Sequence, residues 1–357
     1  MPRMFDILRG QGPDDKNSNK GKEAEKNIPL AYPKAASQNN KALSSLDDYT
    51  LASRKLIDAV RKNGIDNSEA AKKVYDDAVY VISGLLSASK SQEDLSAFAE
   101  SVMDTIDSVY QQLLLGDKIL VNIYKPKPSE YYLPYHIVNI LILSVATGLS
   151  MKFNKSRIDG LALAAIFSDT GIEEVKDIVI KPRKLTEEEK CWVEAHVSKS
   201  LKFAERVLPL NDNVKEAIQM HHERVNGKGY PRGLKQDAIA PYAKIIGLID
   251  TYEAMTHKRN YLEELGAHKA IRLLISSLRD AFDTHVLRVF INKMSLYPIG
   301  SLVALDSNEI ARVVSAHPGS PLRPIVQIIR DTAGNSLEDG AIIDLSIQGF
   351  PAIQDSF

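Results

Sequence analysis

Residues 221–261 of the chain read HHERVNGKGYPRGLKQDAIAPYAKIIGLIDTYEAMTHKRNY, and this stretch decides the fold. It begins with two adjacent histidines, His221 and His222, and continues through a glycine-rich segment at residues 227–233. It then resumes a helical pattern that carries Asp250 within the apolar run AKIIGLID. A carboxylate in such a setting is rarely buried without a partner, because an unpaired buried charge is costly. The stretch therefore predicts two helices joined by a long loop, with candidate metal ligands on both.

Three further residues of the same chemical types lie beside apolar runs upstream, namely His136, Asp169 and His196. A metal cluster would satisfy the imidazoles and carboxylates together, and this donor set suits iron, manganese or zinc. Each residue also has a simpler interpretation. A lone histidine on an apolar helix face is usually a hydrogen-bonded core residue, Asp169 could cap a helix, and Asp250 could pair with an arginine or a hydroxyl. Spacing alone leaves these alternatives open.

The motif in residues 221–261 resembles the signature of the HD-GYP family, a branch of the HD phosphohydrolase superfamily. The matching residues, in order, are His221, His222, Glu223, Gly227, Gly229, Tyr230, Pro231, Gly233, Leu234, Asp250, Ala254, Arg259 and Tyr261. YYLPYHIVNILILSVATGLSM resembles the family's first helix and places His136 at its metal-binding histidine. KPRKLTEEEKCWVEAH resembles the segment leading to the next ligand, His196. The resemblance covers roughly residues 129–330.

The resemblance implies a metal-dependent phosphodiesterase that hydrolyses cyclic-di-GMP. It implies two divalent ions, with iron or manganese favoured, bridged by Asp169. The implied metal ligands are His136, Asp169, His196, His221, His222 and Asp250. Asp169 and Arg259 would be catalytic, and the implied substrate-binding residues are Gly227, Gly229, Tyr230, Pro231 and Arg259. For Lys228 and Arg232 on the same loop, a solvated surface position is the expectation.

Three positions depart from the family pattern. Ser168 stands where the family has the histidine of its His-Asp pair, Ile172 where it has a lysine, and Leu262 where a basic residue is common. A serine hydroxyl is a poor replacement for an imidazole ligand, so one metal position should be weakened, and catalysis should be attenuated. The competing hypothesis is a degenerate, non-catalytic domain that binds a nucleotide or a protein, with a GGDEF-type protein as one partner that the resemblance suggests. A hydrolase acting on another nucleotide is a third option, against which the GYP loop argues.

The remainder of the chain predicts a mainly α protein with a small β-rich end. We expect a flexible tail at 1–40, a helical region at 41–128 that packs on its neighbour or forms a homodimer, an HD-GYP-like domain at 129–292, and a β-rich region at 293–357. Thr186 and Glu189 form a capping-box pattern for the helix that carries His196. The β-branched runs SLVAL, ARVVSA, PIVQIIRD and AIIDLS predict the strands, in a tail that resembles one found on some family members.

Bulk properties exclude several classes of protein. The net charge is −1 and the pI about 6.7, without the basic excess typical of nucleic-acid binding. Cys191 is the only cysteine, so no internal disulfide is possible, and we expect it to be buried. The amino-terminal residues lack the apolar core of a signal peptide, and the apolar run IVNILILSVATGL is shorter than a membrane span. These features predict a cytoplasmic protein without membrane insertion.

Overall fold

The structure is a computed structural model that describes residues 66–89, 95–124, 132–181, 183–257, 265–316, 320, 322–347 and 349–356. The tail expected at 1–40 lies outside these ranges. So do Arg259 and Tyr261 of the signature stretch, and Leu262 directly after it.

Helices make up most of the described chain, and a small sheet follows them, so the predicted fold class is confirmed. The helices are α1 (Asp66–Ala88), α2 (Ala97–Leu115), α3 (Leu133–Ser150), α4 (Lys155–Phe167), α5 (Lys176–Val179), α6 (Glu187–Glu194), α7 (His196–Val207), α8 (Asp212–Met220), α9 (Pro241–Thr256), α10 (Ala267–Ser276) and α11 (Thr284–Met294). The strands are β1 (Leu302–Leu305), β2 (Ile310–Ser315), β3 (Ile325–Arg330), β4 (Ile342–Asp344) and β5 (Ile353–Ser356).

Helix α3 lies at the centre of the helical part, where every side chain from residue 136 to residue 148 is buried. It packs against α1, α2, α4, α9 and α11. By length and composition alone its 18 residues would be enough to cross a bilayer, because the helix extends beyond the apolar run that the sequence suggested. Inside the protein, however, 78% of the helix is buried, which is the property of a core helix. Its apolar composition follows from contact with helices on all sides.

The apolar core is continuous from the amino-terminal helices to the sheet. One cluster of buried side chains contains Ile82 of α1, Ile140 of α3, Ile249 of α9 and Val313 of β2. The domain boundaries at residues 128 and 292 stay predictions, and this core runs across both. Helix α1 therefore packs directly against α3.

The capping box predicted at Thr186 and Glu189 is present. The Thr186 hydroxyl accepts from the Glu189 amide at 3.2 Å, and the Glu189 carboxylate accepts from the Thr186 amide at 2.9 Å. The helix it opens, α6, ends at Glu194, and His196 begins the separate helix α7. Cys191 lies on the outer face of α6 and is exposed, so the expectation that it is buried was wrong. The buried face of α6 is formed by Glu189 and Val193.

The carboxy-terminal strands form an antiparallel sheet in the order β4-β3-β2-β1-β5. The four β-branched runs correspond to β1–β4. The fifth strand, β5, pairs with β1 through Val303 and Ser356. Sequence reasoning missed β5 because its residues, IQDS, lack the β-branched pattern.

Candidate metal centre

Six buried side chains from five helical segments meet at one point in the helical part. His136 comes from the first turn of α3, Asp169 follows α4, His196 begins α7, His221 and His222 follow α8, and Asp250 lies in α9. All six are at most 2% exposed. The structure therefore brings together every residue for which the sequence predicts metal ligation.

The six residues form two groups that share Asp169. One group contains Asp169, His196, His221 and His222, and the other contains His136, Asp169 and Asp250; within each, the candidate ligand atoms lie within 4.8 Å of one another. Asp169 Oδ1 is 3.3 Å from His196 Nε2, while Asp169 Oδ2 is 3.2 Å from His136 Nε2. Each oxygen of one carboxylate thus faces a different group, as a bridging ligand requires.

Backbone carbonyls orient two of the imidazoles. His196 Nδ1 lies 2.6 Å from the Val193 carbonyl oxygen, and His221 Nδ1 lies 2.8 Å from that of Ile218. A carbonyl oxygen accepts only, so Nδ1 carries the proton in both rings. The Nε2 atoms, which are then free to donate a lone pair, are 3.5 Å apart and point toward Asp169.

Several buried polar atoms at this point have no hydrogen-bond partner among the described residues. They are both ring nitrogens of His222, Oδ1 of Asp169 and Oδ1 of Asp250. Leaving such atoms unsatisfied costs about 1–3 kcal/mol each. A divalent cation would accept a lone pair from one nitrogen of His222 and from the carboxylate oxygens, so the donor set fits a metal ion.

The electrostatics of the two groups differ. Burial lowers the pKa of His136, but the charge of Glu253 and hydrogen bonds to Asp169 and Glu253 outweigh it and raise that pKa to about 10. Burial raises the pKa of Asp169, but the adjacent rings of His136, His196 and His221 hold it well below its usual value. Burial, followed by the charge of His221, lowers the pKa of His222 well below its usual value. Asp169 is therefore a carboxylate and His222 a neutral imidazole, the forms that bind cations.

Glu253 is a component of the site that sequence reasoning missed. It is fully buried, and its Oε2 lies 2.6 Å from His136 Nδ1. Its Oε1 accepts hydrogen bonds from Tyr132 Oη and, at 3.0 Å, from Asn139 Nδ2. A carboxylate behind a ligating imidazole fixes the ring and raises its basicity. One signal was available, since Glu253 lies three residues after Asp250 on α9 and so shares its face.

The glycine-rich loop packs against the paired histidines. The Tyr230 ring stacks on His222 with centroids 4.6 Å apart, and the Tyr230–Pro231 peptide bond is cis. The Glu223 carboxylate accepts hydrogen bonds from the backbone amides of Arg232 at 2.7 Å and Leu234 at 2.8 Å. These two bonds hold the loop against the paired histidines. The side chains of Lys228 and Arg232 are exposed, as expected for a solvated surface.

Gly229 has no room for a side chain, because the backbone of residues 222–224 passes close to its Cα. A methyl group there would overlap the carbonyl oxygen of His222 and the amide nitrogen of Arg224. We expect Gly229→Ala to lower the free energy of unfolding in urea by about 1–3 kcal/mol, as overpacking against rigid backbone does. Gly84→Ala is the control, since its added methyl meets only Phe98 at 3.6 Å, an ordinary contact. Equal stability of the two variants would contradict the expectation.

The departures from the family pattern have structural counterparts. The Ser168 hydroxyl donates to the Ala165 carbonyl at 3.0 Å and so bonds to its own helix. Ile172 is 6% exposed and packs with Val175 and Val193 in a small apolar cluster. The segment after Asp169 is therefore held by apolar packing at the position where the family carries a cation.

Comparison with known proteins agrees with this geometry. Residues 127–286 match the HD domain model, and residues 302–354, which contain most of the sheet, match a KOW domain associated with HD domain. The chain is 28% identical over 247 residues to the cyclic di-GMP phosphodiesterase PA4108 of Pseudomonas aeruginosa, covering 69% of this chain. It is 30% identical over 231 residues to the cyclic di-GMP phosphodiesterase PdeB of Borreliella burgdorferi, covering 63% of this chain. It spans 59% of the length of each relative.

Among solved structures, the fold resembles that of Bd1817, a HDG"Y"P protein from Bdellovibrio bacteriovorus. The TM-score is 0.53 at 14% identity, covering 68% of this chain and 78% of that one. Residues 127–286 are therefore an HD domain, and the prediction of such a domain is confirmed. HD domains bind divalent metals, and the buried cluster is where this one could do so.

Proposed function

We propose that this protein is a metal-dependent phosphodiesterase that hydrolyses cyclic-di-GMP with attenuated activity. The observation that carries the proposal is the pair of buried donor groups sharing Asp169, in which atoms of Asp169, His222 and Asp250 have no hydrogen-bond partner among the described residues. The names of the relatives PA4108 and PdeB support the substrate. The cytoplasmic location expected from the sequence belongs to this proposal.

The residues present would hold two divalent ions, with iron or manganese favoured by the mixed imidazole and carboxylate set. His196, His221 and His222 would hold one, His136 and Asp250 the other, and Asp169 both. Such a pair lowers the pKa of water and stabilises charge on phosphate oxygens. The first group has four candidate ligands and the second three, so we expect one tighter and one weaker position.

The remaining roles fall to other residues of the signature stretch. Arg259 would bind a phosphate, for which its planar guanidinium is suited. The loop residues Gly227, Gly229, Tyr230 and Pro231 would border the substrate. With Ile172 and Leu262 in place of basic residues, two charged hydrogen bonds of about 1.5–3 kcal/mol each are missing, which supports attenuation rather than full activity.

A second candidate is a non-catalytic domain that binds a nucleotide or a protein such as a GGDEF-type partner or a second copy of this chain. Two observations favour this non-catalytic domain. Ile172 packs among apolar side chains, and the Ser168 hydroxyl donates to the Ala165 carbonyl of its own helix. In that case the metal cluster would stabilise the fold without supporting turnover.

Turnover distinguishes the two candidates. Protein loaded anaerobically with Fe(II) or Mn(II) is incubated with cyclic-di-GMP, and the products are separated by chromatography. We expect linear dinucleotide or GMP from the wild type and none from Asp169→Ala. 3'3'-cGAMP is included because a relative in Vibrio cholerae, 30% identical over 142 residues, is named a 3'3'-cGAMP-specific phosphodiesterase.

The outcomes separate cleanly. Products from both proteins would indicate a contaminating enzyme, and the assignment of Asp169 would fail. Absence of products from wild-type protein that contains bound metal would overturn the enzyme proposal and favour the binding domain. Faster cleavage of 3'3'-cGAMP than of cyclic-di-GMP would correct the substrate and retain the reaction.

A further inference from the structure

A chain of hydrogen bonds connects helix α1 to the metal centre. Tyr75 Oη donates to Asn139 Oδ1 at 2.8 Å. The Asn139 Nδ2 donates to Glu253 Oε1 at 3.0 Å, and Glu253 Oε2 lies 2.6 Å from His136 Nδ1. His136 Nε2 then faces Asp169 at 3.2 Å and Asp250 at 3.6 Å. Three hydrogen bonds thus separate the amino-terminal helix from a candidate metal ligand.

Every link of this chain is shielded from water. Tyr75 is 3% exposed, Asn139 and Glu253 0%, and His136 2%. Hydrogen bonds in such a setting are stronger than in water, and they polarise one another along a chain. A change at Tyr75 is therefore transmitted through its neighbours, since bulk water is excluded as a substitute partner.

The direction of each hydrogen bond is defined by its chemistry. Burial, followed by the charge of Glu253, raises the pKa of Tyr75 well above its usual value, so the phenol keeps its proton and donates. The Asn139 amide accepts with its oxygen and donates with its nitrogen. The Glu253 carboxylate accepts, so His136 Nδ1 carries a proton, and the ring turns Nε2 toward Asp169 and Asp250. In this orientation Nε2 is the ring atom that a cation in the cluster would bind.

A second connection reaches the same carboxylate from the segment that follows α2. His257 Nε2 lies 2.8 Å from the Ile123 carbonyl oxygen, and its Nδ1 lies 3.3 Å from Glu253 Oε1. Tyr132 Oη also donates to Glu253. Glu253 is thus connected to the region before residue 125 at two places, through Asn139 to Tyr75 and through His257 to Ile123.

We propose that Tyr75 is a positioning residue for the metal centre, through which the amino-terminal helical region sets the orientation of His136. The inference rests on the proposed function, because it requires the His/Asp cluster to bind a metal. It assigns α1 a role in the site that resemblance to HD domains does not cover, since the matched region begins at residue 127. A signal that shifts α1 against α3 would alter metal binding without contacting a ligand.

The test compares Tyr75→Phe with Tyr80→Phe, which removes the same hydroxyl from the same helix at a side chain 81% exposed. Metal-free full-length protein is titrated with Co²⁺, and its visible absorption reports the ligand geometry. We expect Tyr75→Phe to weaken binding by about three- to tenfold, the effect of one hydrogen bond acting through others, and to shift the absorption bands. Tyr80→Phe should match the wild type in both.

The midpoint of thermal unfolding of the metal-free proteins separates positioning from stability. A lower midpoint for Tyr75→Phe with wild-type Co²⁺ affinity and spectrum would overturn the inference and leave the proposed function intact. No Co²⁺ binding by the wild type would overturn both. If Tyr75→Phe does not fold, Asn139→Leu interrupts the next link, and its affinity and spectrum are judged by the same criteria.

Discussion

Asp169→Asn is expected to abolish binding at both metal positions. The substitution keeps the size of the side chain but removes the charge that faces His136 on one side and His196 on the other. Wild-type protein in Mn²⁺ at a hundredfold excess over its dissociation constant should gain about 2.7 kcal/mol. That corresponds to a rise of about 5–10 °C in the thermal midpoint. The variant should show no such rise and should contain no metal by elemental analysis.

Asp159→Asn is the matched control. Asp159 lies on α4, ten residues before Asp169, and its ion pair with Lys155 is at the surface, with 24% of its side chain exposed. The Asp159→Asn variant should retain the metal content of the wild type and the same rise in thermal midpoint with Mn²⁺. Retention of two metals by Asp169→Asn would contradict the bridging assignment, and loss of only one would restrict Asp169 to a single group.

The second large effect is expected at Glu253. Three donors converge on its carboxylate, from Tyr132, Asn139 and His136. A carboxylate accepts all three, whereas the amide of glutamine offers one acceptor oxygen and adds a donor. Glu253→Gln should therefore misalign His136 and weaken metal affinity by about 10–100-fold, the usual effect of removing a partner behind a ligand. Isothermal titration with Mn²⁺ measures it.

Glu189→Gln serves as the control for general destabilisation. Glu189 is another carboxylate with several partners, since it closes the capping box of α6 and pairs with Arg183 at 2.7 Å. It has no contact with the six candidate ligands among the hydrogen bonds and ion pairs of the described chain. Glu189→Gln should lower stability and leave metal affinity unchanged. Equal losses of affinity in the two variants would show that Glu253 acts on the fold alone.

Local signals predicted the helical elements well. The Thr186–Glu189 capping box began a helix where expected, because cap geometry depends on residues three apart. The break at Ala195 was missed, because the apolar periodicity continues from α6 into α7. Cys191 was misplaced for a related reason, since residue type indicates burial only on average and the helix face decides it.

The candidate ligands were predicted because an ordered motif contains them. His221, His222 and Asp250 belong to one stretch, and the resemblance extended the set to His136, Asp169 and His196. Glu253 shares the face of Asp250, but periodicity does not distinguish a supporting carboxylate from a solvated one. Tyr75 carries no sequence signal at all, since it is 64 residues from its partner Asn139.

The sequence by itself indicated the HD-type domain, the mainly α fold and the six residues that converge, because caps, apolar periods and motif order are properties of neighbours along the chain. The tertiary structure decided which carboxylate oxygen faces which imidazole, which side chains support the ligands, and that the amino-terminal helices share the core of the HD domain. These are contacts between residues distant in sequence. They depend on how buried surfaces pack, and a linear pattern does not encode the distances that result.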